Sequence, residues 1–93
     1  MSNMTSSRPF LTVTLISPDN VHILETVEMV ILTTPEGEMG VMSGHIPMLV
    51  ALIESTVTIT NLSGQKNQYN ISSGFAEIQS EKVVILVDKI LET

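Results

Sequence analysis

Leu11-Thr12-Val13-Thr14-Leu15, written LTVTL, places an apolar side chain at every second position and a threonine between each pair. Successive side chains of an extended chain point to opposite sides, so Leu11, Val13 and Leu15 share one face and Thr12 and Thr14 the other. This is the pattern of a half-buried strand. It recurs at Thr56-Val57-Thr58-Ile59-Thr60, where Val57 and Ile59 alternate with three threonines. Ten Val, ten Ile and ten Thr carry the same preference through the chain. Branching at Cβ suits a pleated surface better than a helix, so the expected fold class is all-β.

Turn-forming residues divide the chain at Pro18-Asp19-Asn20, Pro35-Glu36-Gly37, Asn61-Leu62-Ser63-Gly64, Ser72-Ser73-Gly74 and Ser80-Glu81-Lys82. Only short segments fit between them, and that spacing predicts a sandwich or a barrel. The run Val83-Val84-Ile85-Leu86-Val87 has no polar alternate. It is expected to be buried on both faces, or to be covered on one face by something outside this chain. Lys89-Ile-Leu-Glu-Thr93 has the composition to begin a helix, the one such segment in a chain otherwise nearly without helix. The expected organisation is a loose Ser- and Asn-rich tail over 1–9, one domain over 10–89 and a tail over 90–93.

Ninety-three residues allow one domain with a modest core. With no cysteine there is no disulfide framework, so packing, or packing plus a partner, must hold the fold. The formal charge is −6, with Arg8, Lys66, Lys82 and Lys89 as the cations, which disfavours nucleic acid as a partner and suits a basic protein surface. The polar N-terminus carries no apolar signal-peptide core, and no uncharged run reaches the ~18 residues of a membrane-spanning helix. Three glycosylation sequons, at Asn3, Asn61 and Asn70, carry no weight without a signal peptide.

The densest cluster of chemistry-bearing side chains is Pro35-Glu-Gly-Glu-Met-Gly-Val-Met-Ser-Gly-His-Ile-Pro-Met48. Ser43 beside His45 invites a hydrolase reading, but the strained turn around a nucleophilic serine needs glycine two residues before and two after it. Here those positions hold Val41 and His45. No carboxylate is placed to orient His45, so catalytic chemistry is not expected. His22 and His45 are far apart and the carboxylates lack ligand spacing, so no metal is expected and His22 reads as an exposed strand residue. No phosphate-cradling glycine loop is present, and no cofactor is expected. Glu36 and Glu38 fit a solvated hairpin tip, while Met39, Met42 and Met48 fit either core filling or an adaptable contact surface.

The segment from Glu36 to Leu52, EGEMGVMSGHIPMLVAL, resembles the EGE-(L/F)-G-(I/V)-x-x-GH-(A/x)-PL-(L/x)-(T/x)-AL signature of the epsilon subunit of rotary ATP synthases, called delta in mitochondria. Ile16-Ser17-Pro18, Gly74-Phe75-Ala76-Glu77-Ile78 and Val83 to Asp88 resemble further family segments, the last two being similar to GGFAEV and VTILAD. Together these span roughly residues 10 to 88. The resemblance implies a flattened β-sandwich of about ten short strands that catalyses nothing. It implies a place at the foot of the central stalk, gripping the gamma subunit and touching the polar loops of the c-ring. It assigns Met42, Gly44, His45, Ile46, Pro47 and Met48 to gamma contact, and Glu36 and Glu38 to c-ring contact. The implied location is peripheral to an energy-transducing membrane, at the cytoplasmic face of a bacterial inner membrane. Two turns depart from the family pattern: Ile53-Glu54-Ser55 follows Leu52 where a Pro-Gly turn is usual, and Ser73 replaces the first glycine of the GG pair. The 93 residues also hold no counterpart of the two-helix C-terminal hairpin to which the family's inhibition of hydrolysis and ATP binding are attributed. Without it, neither behaviour is expected. The rival reading is an unrelated β-sandwich binding module.

Overall fold

A computed structural model describes residues 10–91. Nine strands and no helix are found among them: Leu11–Ser17 (β1), Asn20–Thr34 (β2), Gly37–Val41 (β3), Met48–Leu52 (β4), Ser55–Asn61 (β5), Lys66–Ile71 (β6), Gly74–Ile78 (β7), Lys82–Val87 (β8) and Ile90–Leu91 (β9). All five expected turn positions lie at the ends of strands or between them. The expected loose tail over 1–9 lies outside the described residues, as do Glu92 and Thr93.

The strands join in the order β4-β7-β8-β1-β2-β5-β6-β9, with β3 also on β2. The long β2 makes a sandwich of this path. Its first half pairs with β1, from Asn20 opposite Ser17 to Val27 opposite Leu11, and its second half pairs with β3 and β5. The β2–β5 register shifts between Val27 and Met29, where β2 leaves one layer and enters the other. One layer is therefore β4, β7, β8, β1 and the first half of β2; the other is β3, the second half of β2, β5, β6 and β9. All pairings are antiparallel except β1 with β8, which run parallel.

The inner faces form one core. Leu11, Val13, Leu15, Val27, Ala76, Val83 and Ile85 from the first layer and Val30, Leu32, Val41, Val57, Ile59 and Ile71 from the second are fully buried. Strand β1 realises its sequence pattern, with Leu11, Val13 and Leu15 inside and Thr12 and Thr14 half-buried. Strand β5 does so except at Thr60, which is buried at 8% exposure with its hydroxyl unpartnered. In β8, Val83, Ile85 and Val87 face the core while Leu86 is 48% exposed. Of the two expectations for this run, burial within the chain on both faces is therefore not met.

The C-terminal segment differs from the helix start its composition suggested. Ile90 and Leu91 pair with Ile71 and Asn70 as β9. The Lys89 amide donates to Ser72 Oγ (2.9 Å) and the Ser72 amide to the Lys89 carbonyl (3.1 Å), which fixes the backbone extended against β6. Ile90 packs on the core. A ladder bond and an apolar anchor outweigh a weak helical preference over so few residues.

Candidate functional site

The β2–β3 hairpin turns at Pro35-Glu36. Buried Thr34 organises it: Thr34 Oγ1 accepts from the Glu36 amide (3.1 Å) and donates to the Gly37 carbonyl (3.0 Å). Gly37 has φ +125°, a backbone region that side chains disfavour. Glu36 and Glu38 are both exposed. Glu38 lies opposite Thr33 and points away from the core, whereas Met39, one residue on, packs against it. Of the alternatives for Met39, core filling is therefore the one found.

Past β3 the chain crosses to the other layer through residues 42–47. The Gly44 amide donates to the Ser80 carbonyl at 2.7 Å, tying this loop to the β7–β8 turn, and the His45 amide donates to the Met42 carbonyl at 3.2 Å. His45 is half-buried, and its Nδ1–H donates to its neighbour Ile46's carbonyl at 2.8 Å. That bond holds the ring to its own loop. Around it Met42 (50% exposed), Ile46 (72%), Met48 (39%) and Leu49 (70%) present apolar surface to solvent. Beside them lies an open groove of about 540 Å³ lined by Pro47, Met48, Leu49, Glu77, Ile78 and Gln79.

The fold thus gathers Met42, Gly44, His45, Ile46, Pro47 and Met48 into one surface loop and keeps Glu36 and Glu38 apart from them. The spacer is β3, whose five residues span roughly 14 Å at the rise of an extended strand. His22 is an exposed strand residue, as expected. It is the extra residue where the β1–β2 register shifts, and its Nε2 lies 2.7 Å from Ser17 Oγ. The register sets it at the Ser17 end of the first layer, and the Gly44–Ser80 bond holds the His45 loop at the other end.

The residue-by-residue reading missed a second apolar surface, the outer face of the first layer. Paired residues share a face, so Ala51, Phe75, Leu86, Ile16 and Val21 form one row across five strands, with Leu49, Glu77, Val84, Thr14 and Leu24 beside it. Val21 (54%), Leu24 (69%), Phe75 (54%) and Leu86 are exposed. A cleft of about 490 Å³ between β4, β7 and β8 opens on this face next to Asp88. The one sequence signal for it was the unbroken apolar run of β8.

Residues 10–93 match the family model described as ATP synthase, Delta/Epsilon chain, beta-sandwich domain. This chain belongs to that family. It is 37% identical over 78 residues to the ATP synthase epsilon chain of Macrococcus caseolyticus, a match over 83% of this chain and 57% of that one. It is 34% identical over 83 residues to the epsilon chain of Dichelobacter nodosus, over 89% of this chain and 57% of the relative. It spans a little more than half the length of these curated relatives. Among solved structures, a chain of the Euglena gracilis mitochondrial ATP synthase, OSCP/F1/c-ring in rotational state 1, superposes with a TM-score of 0.85 at 28% identity, over 96% of this chain and 57% of that one. A chain of the Tetrahymena thermophila mitochondrial ATP synthase central stalk and c-ring superposes at 0.71 over 95% of this chain and 69% of that one. At 15% identity it shares the fold alone.

Proposed function

We propose that this chain is a non-catalytic part of the central stalk of a rotary, proton-translocating ATP synthase, seated between the gamma subunit and the c-ring and peripheral to the membrane. The observation that carries this reading is the exposed apolar surface of Met42 and Ile46 in the crossing loop and Met48 and Leu49 at the start of β4, in a chain of the delta/epsilon sandwich family. Monomeric proteins rarely leave contiguous apolar surface uncovered, and methionines on it can adapt to a partner. Gamma docks at Met42, Gly44, His45, Ile46, Pro47 and Met48, and the apolar outer face of the first layer extends the area it can cover. Glu36 and Glu38, at the far end of β3, face the polar loops of the c-ring. A rigid strand between the two sites lets both partners be held at once, which is what passing torque requires.

Cysteine cross-linking in the assembled synthase tests this. Cys introduced at position 45 is expected to form a disulfide with a gamma cysteine under mild oxidation, and Cys at 38 with a cysteine in a c-ring loop. Absence of any gamma product from position 45, while other loop positions react with a different subunit, would remove the docking assignment.

A further inference from the structure

We infer that Met42 and Met48 form a reversible oxidation site that controls docking of the undocked chain, an inference that rests on the gamma-docking reading above. The chain has no cysteine, so its thioethers are the readily oxidised sulfurs. Four methionines fall among the described residues, and the fold treats them unequally. Met39 packs against the core, Met29 is half-buried, and Met42 and Met48 stand 50% and 39% exposed at the two ends of the crossing loop.

Both positions are held by the backbone. The loop backbone is fixed by the Gly44–Ser80 bond and by the His45 amide on the Met42 carbonyl, and Met48 opens β4 opposite buried Ile78, on the inner side of the strand yet at its open end and 39% exposed. The interior positions nearby are filled by Val41, Leu52 and Ile78, each at most 3% exposed. Both residues keep solvent-exposed area, through which a peroxide can approach them. Hydrogen peroxide transfers one oxygen to the thioether: the sulfur loses two electrons, the O–O bond breaks, a sulfoxide forms and water leaves. A reductase using two thiols reverses the step, yielding the thioether, a disulfide and water. The sulfoxide places a polar, acceptor-bearing group in an apolar contact, where it loses its water when gamma closes over it. Once docked, gamma covers both sulfurs, so the switch acts before assembly and is shielded afterwards.

The experiment treats the full chain with dilute hydrogen peroxide, with and without purified gamma, and quantifies each sulfoxide by peptide mass spectrometry. Met42 and Met48 are expected to oxidise at least ~5-fold faster than Met39 in the free chain, and to slow by a similar factor when gamma is bound. Oxidised chain is expected to bind gamma about tenfold more weakly. The double variant Met42→Leu with Met48→Leu keeps the side-chain volume without the sulfur, so its own affinity for gamma, measured before treatment, should be the same after it. Equal rates at Met42, Met48 and Met39 would overturn the site. Unchanged affinity of oxidised chain, or equal loss in the double variant, would overturn the control of docking. Failure of untreated chain to bind gamma would instead overturn the docking reading, and the rate contrast would still decide the modification site.

Discussion

The two outer faces of this sandwich are built from strands of similar length yet carry opposite chemistry. Outside the second layer, Thr56 and Thr58 of β5 lie opposite Asn70 and Gln68 of β6, and Thr56 Oγ1 donates to Asn70 Oδ1 at 2.7 Å. Outside the first layer, the equivalent positions hold Val21, Leu24, Leu49, Phe75 and Leu86, with Glu77 and Thr14 as the polar residues among them. The polar face follows the rule for an antiparallel sheet with one wetted side. The apolar face breaks it without any gain inside the chain, because the core is already complete on the inner sides. Side chains that contribute little to folding here are free to serve association.

Adjacent residues of β8 offer the sharpest test of that difference, and the largest effect. Ile85 is fully buried, and Ile85→Ala is expected to lower stability by about 2 to 5 kcal/mol through lost transfer energy and the cavity left behind. Denaturant melts would measure it. Leu86 lies one residue on, facing out, and Leu86→Ser is expected to change stability by less than ~1 kcal/mol while weakening gamma binding by about 1 to 3 kcal/mol. Loss of stability comparable to that of Ile85→Ala would mean that the outer face is part of the fold's own support. Unchanged gamma affinity would mean that it serves some other contact.

The polar face has its own weak point. Thr60 sits there in register with Met29 and Lys66, its hydroxyl buried and without a partner. Thr60→Val replaces that hydroxyl by a methyl of nearly the same shape and removes a buried polar atom that has no protein partner. It is expected to stabilise the isolated chain by about 0.5 to 1 kcal/mol, because an unmade hydrogen bond costs more than a missing donor. A thermal midpoint that falls instead would show that the hydroxyl is satisfied in solution, which would make the two faces less alike in their tolerance of apolar groups.

How far the sequence revealed this architecture varied with the kind of interaction. Strand identity was legible because period-two alternation at Leu11–Leu15 and Val57–Ile59 is local, and turn positions were legible because glycine, proline and asparagine act through their own backbone. Pairing partners were not, since nothing local in LTVTL tells that its neighbour is β8, running parallel, from the far end of the chain. Gly74 illustrates the limit. In the sequence it reads as a turn residue, but its φ is not in the left-handed region; it is needed because a Cβ there would collide with the Leu86 carbonyl oxygen and lie 2.9 Å from Val87 Cα. That constraint belongs to the β7–β8 contact. For the candidate site, the loop residues and carboxylates were named from a contiguous stretch. The apolar face was not, being assembled from five separate strands.

The smallest expected effect concerns Glu38, exposed at the edge strand of the polar layer. If the two faces divide the labour as proposed, the apolar surface supplies affinity for gamma and this carboxylate supplies a weak, wetted contact to the ring. Such a contact is screened by salt and contributes ~0.2 to 1 kcal/mol, so Glu38→Gln should leave assembly intact. Sign reversal is more revealing. Glu38→Lys sets a cation against the donors or cations of the c-ring loop, where like charges repel, without touching the core or the Thr34 network that shapes the turn. Membranes carrying this variant should show reduced proton-driven ATP synthesis, while the detached catalytic sector hydrolyses ATP at its normal rate. Equal loss of both activities would point to misassembly through the gamma side. No loss of either would place the ring contact away from this hairpin and leave the polar face without an assigned partner.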